Sequence, residues 1–300
     1  MVITYGLNSL ELAKKVAEMV EIPLINKIVR VFPDGEIYVR FENIDFEGKE
    51  VYVIHSLYPE QNQNLIELFL TLDLIKDYGG KIKLIVPYFA YSRQDKRFQD
   101  GEAFSLKTIA NILKFLGVEY LITIDAHFHR KPEEFDFFGV PAKNLTAVNL
   151  LVNYAKNYFD GFIVIGPDLG SKDFLSSIKE EKIFLEKEKY CPECKLPATK
   201  CKCIKREKEY EIKIKCPNLR KQNVLILDDM IAGGGTMIRS IEAIKEKVNK
   251  IAVGCTHGLF LKDSLQKLKN LSDYIFTTDT IKSEVSKVSV AELIAKEIKK

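Results

Sequence analysis

Six short apolar runs recur along the chain, at Lys49–Ile54, Ile82–Val86, Tyr120–Ile124, Phe162–Ile165, Val224–Leu227 and Ile251–Val253. They show little of the polar alternation of a half-exposed strand. A strand that is apolar on both sides must be covered on both sides, as in a parallel sheet flanked by helices. Helical spacing of apolar residues over Leu10–Val20, Asn64–Tyr78, Ser105–Phe115 and Val148–Tyr158 supplies the cover. Strand–helix alternation kept up in this way predicts an α/β protein with mainly parallel sheets. Lys143–Leu145 reads as the crossing point between two similar halves, 1–145 and 146–300, and 300 residues suffice for a core in each.

Composition narrows the class. With 46% hydrophobic and 29% charged residues the chain is globular, and a net charge of +3 is too small to argue for a nucleic-acid partner. No apolar run is long enough to span a membrane. The opening MVITYGLNSLELAKKV lacks a basic stretch followed by an apolar core, so a cytoplasmic protein is expected.

Most of the chemistry is concentrated in VLILDDMIAGGGTMIRS, Val224–Ser240. A buried strand ends in Asp228 and Asp229, at the edge where open α/β sheets bind ligands. Gly233, Gly234 and Gly235 let the backbone turn tightly and bring bare N–H groups to an anion. The helix that follows adds its positive end, and Thr236 adds a hydroxyl. Phosphate in the turn, beside acceptors for vicinal hydroxyls, describes a ribose 5-phosphate pocket. The alternative is a strand–turn–helix connection whose glycines only turn and cap.

Other strand ends carry polar groups too. DAHFH follows Tyr120–Ile124, and in extended chain Asp125 and His127 would point the same way. GPDLGS follows Phe162–Ile165, with Asp168 at the tip of a turn or simply capping it. PYFAYSRQDKR follows Ile82–Val86, suiting a base platform and polyphosphate clamp or else a helix start. Phe32-Pro33-Asp34-Gly35-Glu36 alone would be a plain hairpin turn.

From Lys187 to Gln222 the helical period is lost, and EYEIKIKC (209–216) alternates as a two-stranded excursion would. An insertion over about 190–216 holds Cys191-Pro-Glu-Cys194 and Cys201-Lys-Cys203, paired cysteines that an intracellular chain uses for metal rather than disulfides. Four thiolates would close a tetrahedral structural Zn²⁺ site, with Cys216 an alternative ligand. Unligated surface thiols are the other reading.

Taken in order, FPDGE, YSRQDKR, DAHFH, GPDLGS, LEKEK, DDMIAGGGT, CTHGLF and TTDTI resemble the motifs of ribose-phosphate pyrophosphokinases over essentially the whole chain. The resemblance implies two phosphoribosyltransferase-like domains and an enzyme moving diphosphate from MgATP to O1 of ribose 5-phosphate. Phe32, Asp34 and Glu36 match an adenine-binding segment often supplied by a neighbouring subunit, which implies at least a homodimer. Arg93, Gln94 and Asp95 match the ATP-binding stretch. His127 matches a histidine near metal and phosphate, and Asp168 an aspartate for Mg²⁺ or ribose. Asp228, Asp229 and Ala232–Thr236 match the sugar-phosphate site. Lys187 and Lys189 match a basic pair on a flexible catalytic loop, so the cysteine insertion would hang on that loop, and its zinc would either rigidify the loop or make it a docking surface for a protein partner that gates activity.

Three positions depart from the family pattern. Lys189 stands in place of arginine, Gly233 in place of threonine, and Leu169-Gly170-Ser171 in place of Ala-Gly-Gly. They leave two other readings beside the enzyme: a non-catalytic or regulatory paralogue, and a pyrophosphokinase for another sugar phosphate.

Overall fold

The computed structural model describes residues 1–300 except 43, 192, 197–199, 202–210, 216–218 and 220; for Lys187–Tyr190, Glu211–Lys213 and Lys215 it describes the backbone. The elements of the first half are β1 (Val2–Tyr5), α1 (Leu10–Val20), β2 (Lys27–Val31), β3 (Ile37–Phe41), β4 (Glu50–Ile54), α2 (Gln61–Asp77), β5 (Lys81–Val86), α3 (Ser105–Phe115), β6 (Val118–Ile124), β7 (Glu134–Asp136) and β8 (Pro141–Leu145). There follow α4 (Val148–Ala155), β9 (Ile163–Gly166), β10 (Lys182–Phe184), β11 (Glu186–Tyr190), β12 (Glu211–Lys215), β13 (Val224–Ile231) and α5 (Gly235–Ile244). The last elements are β14 (Ile251–Gly258), α6 (Ser264–Leu271), β15 (Tyr274–Thr278), β16 (Ser286–Val288) and α7 (Ala291–Ile298). No helix among the described residues is long and apolar enough to cross a membrane.

Two six-stranded sheets result, ordered β1-β4-β5-β6-β8-β7 and β10-β9-β13-β14-β15-β16, with two-stranded ribbons β2-β3 and β11-β12. In the first sheet every neighbour from β1 to β8 pairs parallel, and only β7 is antiparallel. The expected α/β class with mainly parallel sheets is present. All six apolar runs are strands, and α1 and α3 have the expected bounds. Lys143–Leu145 forms the end of β8, paired with β6 and buried at Asn144, just ahead of Ala147/Val148, where the chain passes from one compact unit to the other.

Contacts divide the chain into two compact units: Met1–Ala147 with Thr256–Gly258 and Thr277–Lys300, and Val148–Cys255 with Leu259–Phe276. A contiguous division at 145/146 would place Thr277–Lys300 with the second half. The physical reason they cluster with the first is α7, which packs on α1 and buries Ala291, Ile294 and Ile298 beside Leu12, Ala13 and Val16. The second unit has its own core, including Ile165, Leu185, Val224, Ile226, Ile241 and Val253.

The first unit also buries charge. Lys27 Nζ at the foot of β2 lies 2.9 Å from Glu67 of α2 and donates to Thr71 Oγ1 at 2.6 Å. Pairing makes this burial tolerable and pins the β2–β3 ribbon to α2. His55, fully buried just after β4, sits 3.3 Å from Asn64 Oδ1 and 3.8 Å from Glu67. Burial pushes its pKa down to about 4, against the opposing pull of Glu67. A base depressed in the folded state gives stability that is complete above the unfolded pKa near 6.5 and lost as pH falls from there toward 4. His55→Asn should therefore flatten the acid side of the stability profile, removing on the order of 2 kcal/mol of pH-dependent loss by pH 5. Urea melts of both proteins at pH 7 and pH 5 measure this, and equal losses in the two would contradict it.

Candidate active site

The second sheet contains one reversal of strand order. The chain leaves β9 for β10 on one side and later places β13 on the other, both parallel to β9. Loops at the carboxyl ends of β9 and β13 therefore diverge around a crevice, the place where such sheets bind ligands. Two of the segments singled out above are these loops.

After β9, Asp168 caps a short 3-10 turn by accepting the Gly170 N–H at 2.9 Å. Gly166 allows the close packing here, since a Cβ on it would meet the Phe184 ring at 2.6 Å. Ser171 Oγ is buried without a hydrogen-bond partner among the described residues.

β13 runs further than the sequence suggests. It continues to Ile231, but its ladder with β9 covers only Val224–Ile226, so Asp228 and Asp229 lie beyond that ladder while still in strand conformation. Asp229 is buried and Asp228 partly exposed. Desolvation first, then the charges of Asp229 and Asp168, holds the Asp228 carboxyl well above the usual carboxylate range. Three carboxylates thus share one region, and a cation or a set of hydroxyl donors would relieve their repulsion. The buried Cys255 thiol on β14 is pushed up by burial first and then by Asp228 and Asp229, which keeps it neutral.

The turn into α5 is built from both sides. Ala232 C=O accepts from Leu261 N–H at 2.9 Å and Ser264 Oγ at 3.2 Å, and Ile231 C=O from Leu259 N–H at 2.9 Å. Its carbonyls are held back, while the first amides of α5 lack intrahelical acceptors, as at helix starts that bind anions. Leu261 and Ser264 were not legible as site residues, because a single serine at a helix start carries no signal. The glycines are not equivalent. Gly234 has φ +72° and a Cβ there would lie 3.1 Å from Ser264, whereas Gly233 has ordinary φ and open space. Gly234→Ala should cost about 1 kcal/mol or more, and Gly233→Ala should stay within about 0.5 kcal/mol. Denaturant melts of the pair check this, and equal costs would refute the distinction.

β11 and β12 form the expected two-stranded excursion, with Lys187 opposite Ile214 and Lys189 opposite Ile212. The basic pair thus belongs to a regular ribbon rather than an irregular loop. Its base starts beside the Asp168 turn, where Leu185 N–H donates to Gly166 C=O at 3.0 Å. At the end of β11, the Sγ atoms of Cys191, Cys194 and Cys201 all lie within 4.8 Å of one another, with Cys194 and Cys201 at 3.6 Å. No disulfide has that length. Tetrahedral Zn–S bonds of 2.3 Å imply S···S of about 3.8 Å, so the cluster fits zinc. Backbone amides of Cys194 and Glu193, with the other two thiols, hold the Cys191 thiol at about 6 against burial in its own turn. Cys203 and Cys216 lie outside the described residues.

In the first unit, β5 and β6 are parallel neighbours, so the loops after them share one sheet edge. Residues 87–104 form turns rather than the start of a helix, with Arg93 exposed and Gln94 and Asp95 partly so. Glu102 folds the loop back, accepting from Phe98 N–H at 2.7 Å while its C=O accepts from Arg97 Nε at 3.0 Å. Phe89 and Phe128 join this loop to the one after β6, ring centroids 5.5 Å apart. There Asp125 departs from expectation. Its φ is +43°, and its buried carboxylate accepts from Ala147 N–H at 2.9 Å and Thr256 Oγ1 at 2.6 Å. It braces the loop instead of extending alongside His127. His127 is partly exposed, with Arg130 Nη 3.4 Å from its Nδ1, a cation that sequence reading did not single out. The late motifs are structural here: buried His257 bridges Thr280 Oγ1 at 2.9 Å and Ile124 C=O at 3.0 Å.

FPDGE forms the turn joining β2 to β3, closed by Phe32 N–H donating to Glu36 C=O at 2.8 Å. Asp34 and Glu36 line a hollow with Asn62, Gln63 and Ile66 of α2, without Arg93 or His127.

A family model for the N-terminal domain of ribose phosphate pyrophosphokinase matches residues 1–117. The ribose-phosphate pyrophosphokinase of Sulfurisphaera tokodaii is 34% identical over 98% of this chain and 97% of that one. That of Methanothermobacter thermautotrophicus is 32% identical over 96% of each. The chain belongs to the ribose-phosphate pyrophosphokinase family. A crystal structure of phosphoribosylpyrophosphate synthetase from Mycobacterium smegmatis has the same fold, with a TM-score of 0.81 at 24% identity, covering 99% of this chain and 97% of that one.

Proposed function

We propose that the chain transfers the β,γ-diphosphoryl group of MgATP to O1 of ribose 5-phosphate, giving 5-phosphoribosyl 1-diphosphate and AMP. Family membership supports the reaction. The observation that carries it to this site is the grouping of Asp168, Asp228 and Asp229 beside the turn at Gly234, at the strand-order reversal. In the reaction O1 attacks the β-phosphorus, the bond from that phosphorus to the α,β-bridging oxygen breaks, AMP leaves with that oxygen, and the O1 proton leaves for water. Positioning and charge stabilisation do most of such work.

The roles are those that the family's motifs assign to the matching residues of this chain. Ala232–Thr236 hold the 5-phosphate by backbone amides and the Thr236 hydroxyl, and Asp228 and Asp229 accept from the ribose hydroxyls. Asp168 offers the oxygen donor that Mg²⁺ takes. When bound, Mg²⁺ neutralises charge on the phosphates. His127, with Arg130 against its ring, suits a phosphate oxygen better than the cation. Arg93, Gln94 and Asp95 bind ATP phosphates, and Lys187 and Lys189 stabilise charge in the transition state. Phe32, Asp34 and Glu36 serve the adenine of a neighbouring subunit in a homo-oligomer. The exposure of Val31, Phe32 and Tyr38 on that ribbon supports this. Cys191, Cys194 and Cys201, with Cys203 as the fourth thiolate, hold structural Zn²⁺. A cytoplasmic location follows from the substrates.

AMP release from MgATP should require ribose 5-phosphate, and its absence with that sugar would refute the reading. Lys187→Ala should lower kcat by roughly 10²–10³ with little change in KM. Gly233→Thr places a hydroxyl donor in open space. If the 5-phosphate binds there, KM for ribose 5-phosphate should fall roughly five-fold, the effect of about 1 kcal/mol of added hydrogen bonding.

A further inference from the structure

Among the described residues the β11–β12 ribbon has no third strand and five paired positions. Two strands alone are marginally stable in water. Its base is secured, because Leu185 is fully buried immediately before β11 and Ile214 of β12 packs on the second unit's core. Its far end has no such packing described. The chain departs at Tyr190 and returns at Glu211, and closing so long a connection costs entropy that the ribbon's own hydrogen bonds must offset. Cys191 is the residue directly after the last paired position. From it a tight turn folds back, Lys195 N–H donating to Cys191 C=O at 2.9 Å and Cys191 N–H to Leu196 C=O at 2.8 Å. This turn brings Cys191 and Cys194 together, and Cys201 joins them. Lys187 and Lys189 lie between the anchored base and this cluster.

We propose that zinc bound by Cys191, Cys194 and Cys201 is a staple that fixes the outer end of the β11–β12 ribbon, so that metal occupancy sets whether Lys187 and Lys189 are held in position for catalysis. This rests on the zinc reading and on the catalytic reading of the two lysines. The cysteines are positioning residues. Removing the metal shortens no side chain and changes no charge at the sugar-phosphate turn. It lets the ribbon's far end open, and the lysines lose a fixed place. An interaction made only in the transition state is then weakened, so kcat falls while KM is spared.

The test uses the full chain, reduced, stripped of zinc with a thiol-competitive chelator in excess Mg²⁺, and reloaded with Zn²⁺. One zinc per chain should bind, and Co²⁺ in its place should give the absorption of a tetrahedral thiolate site. Amide hydrogens of 186–190 and 211–215 should exchange at least tenfold more slowly with zinc. kcat should rise at least tenfold on reloading, with KM for MgATP and ribose 5-phosphate within about twofold. Cys201→Ser should behave as the stripped protein, and Cys201→His, which keeps a zinc ligand, should recover most of the loss. Should Cys201→Ser fail to fold, the stripped and reloaded parent still decides. Absence of bound zinc overturns the metal reading and the staple with it. Zinc that binds without changing exchange or kcat overturns the staple alone. Slowed exchange in a chain that never releases AMP upholds the staple and overturns the catalytic reading.

Discussion

Strand β9 has a parallel neighbour on each side, reached by connections that turn in opposite directions. That reversal opens a gap at the carboxyl edge of the sheet, and the acids Asp168, Asp228 and Asp229 are arranged around it. Asp168 comes from the loop on one side, Asp228 and Asp229 from the strand on the other, and the glycine turn continues from the latter. Gathering three acids at this edge is electrostatically unfavourable, as the raised Asp228 carboxyl records. A protein tolerates such crowding where a ligand is to cancel it. The first sheet adds strands in one direction from β1 to β8 and has no reversal of this kind. Its polar groups instead come from adjacent loops after β5 and β6, joined by the Phe89–Phe128 contact.

Much of this was legible in the residues because the signals are local. Unbroken apolar runs such as Val224–Leu227 give strands, and helical spacing gave α1 and α3 their bounds. What was not legible depends on partners distant in sequence. The DD pair lies within β13, which runs to Ile231 although its ladder with β9 ends at Ile226, a fact no local pattern encodes. Asp125 resembled a partner for His127 by spacing alone. Its left-handed φ and its bond to Thr256, 131 positions later, make it a brace. Leu261 and Ser264, which hold the Ala232 carbonyl, have ordinary identities and special positions. The basic pair Lys187 and Lys189 was expected on a loop from the family resemblance, and its strand is hard to read locally because the partner strand lies across a long insertion.

The turn itself separates backbone necessity from chemical choice. Gly234 is required by a positive φ and by Ser264 against its face. Gly233 meets neither condition, so packing does not explain why a hydroxyl-bearing residue is missing there. On the proposed reading, the absent hydroxyl would leave the 5-phosphate to the backbone amides and to Thr236.

Helix α7 has a consequence for how the molecule is made. Its apolar face completes the core under α1, so the first unit closes only once a segment far along the chain has been made. Until α7 has followed, a chain emerging from a ribosome exposes the matching face of α1, while the second unit, whose residues end at Phe276, already has its core contacts within reach. Assembly order therefore runs against sequence order, with the amino-terminal unit the later of the two to close.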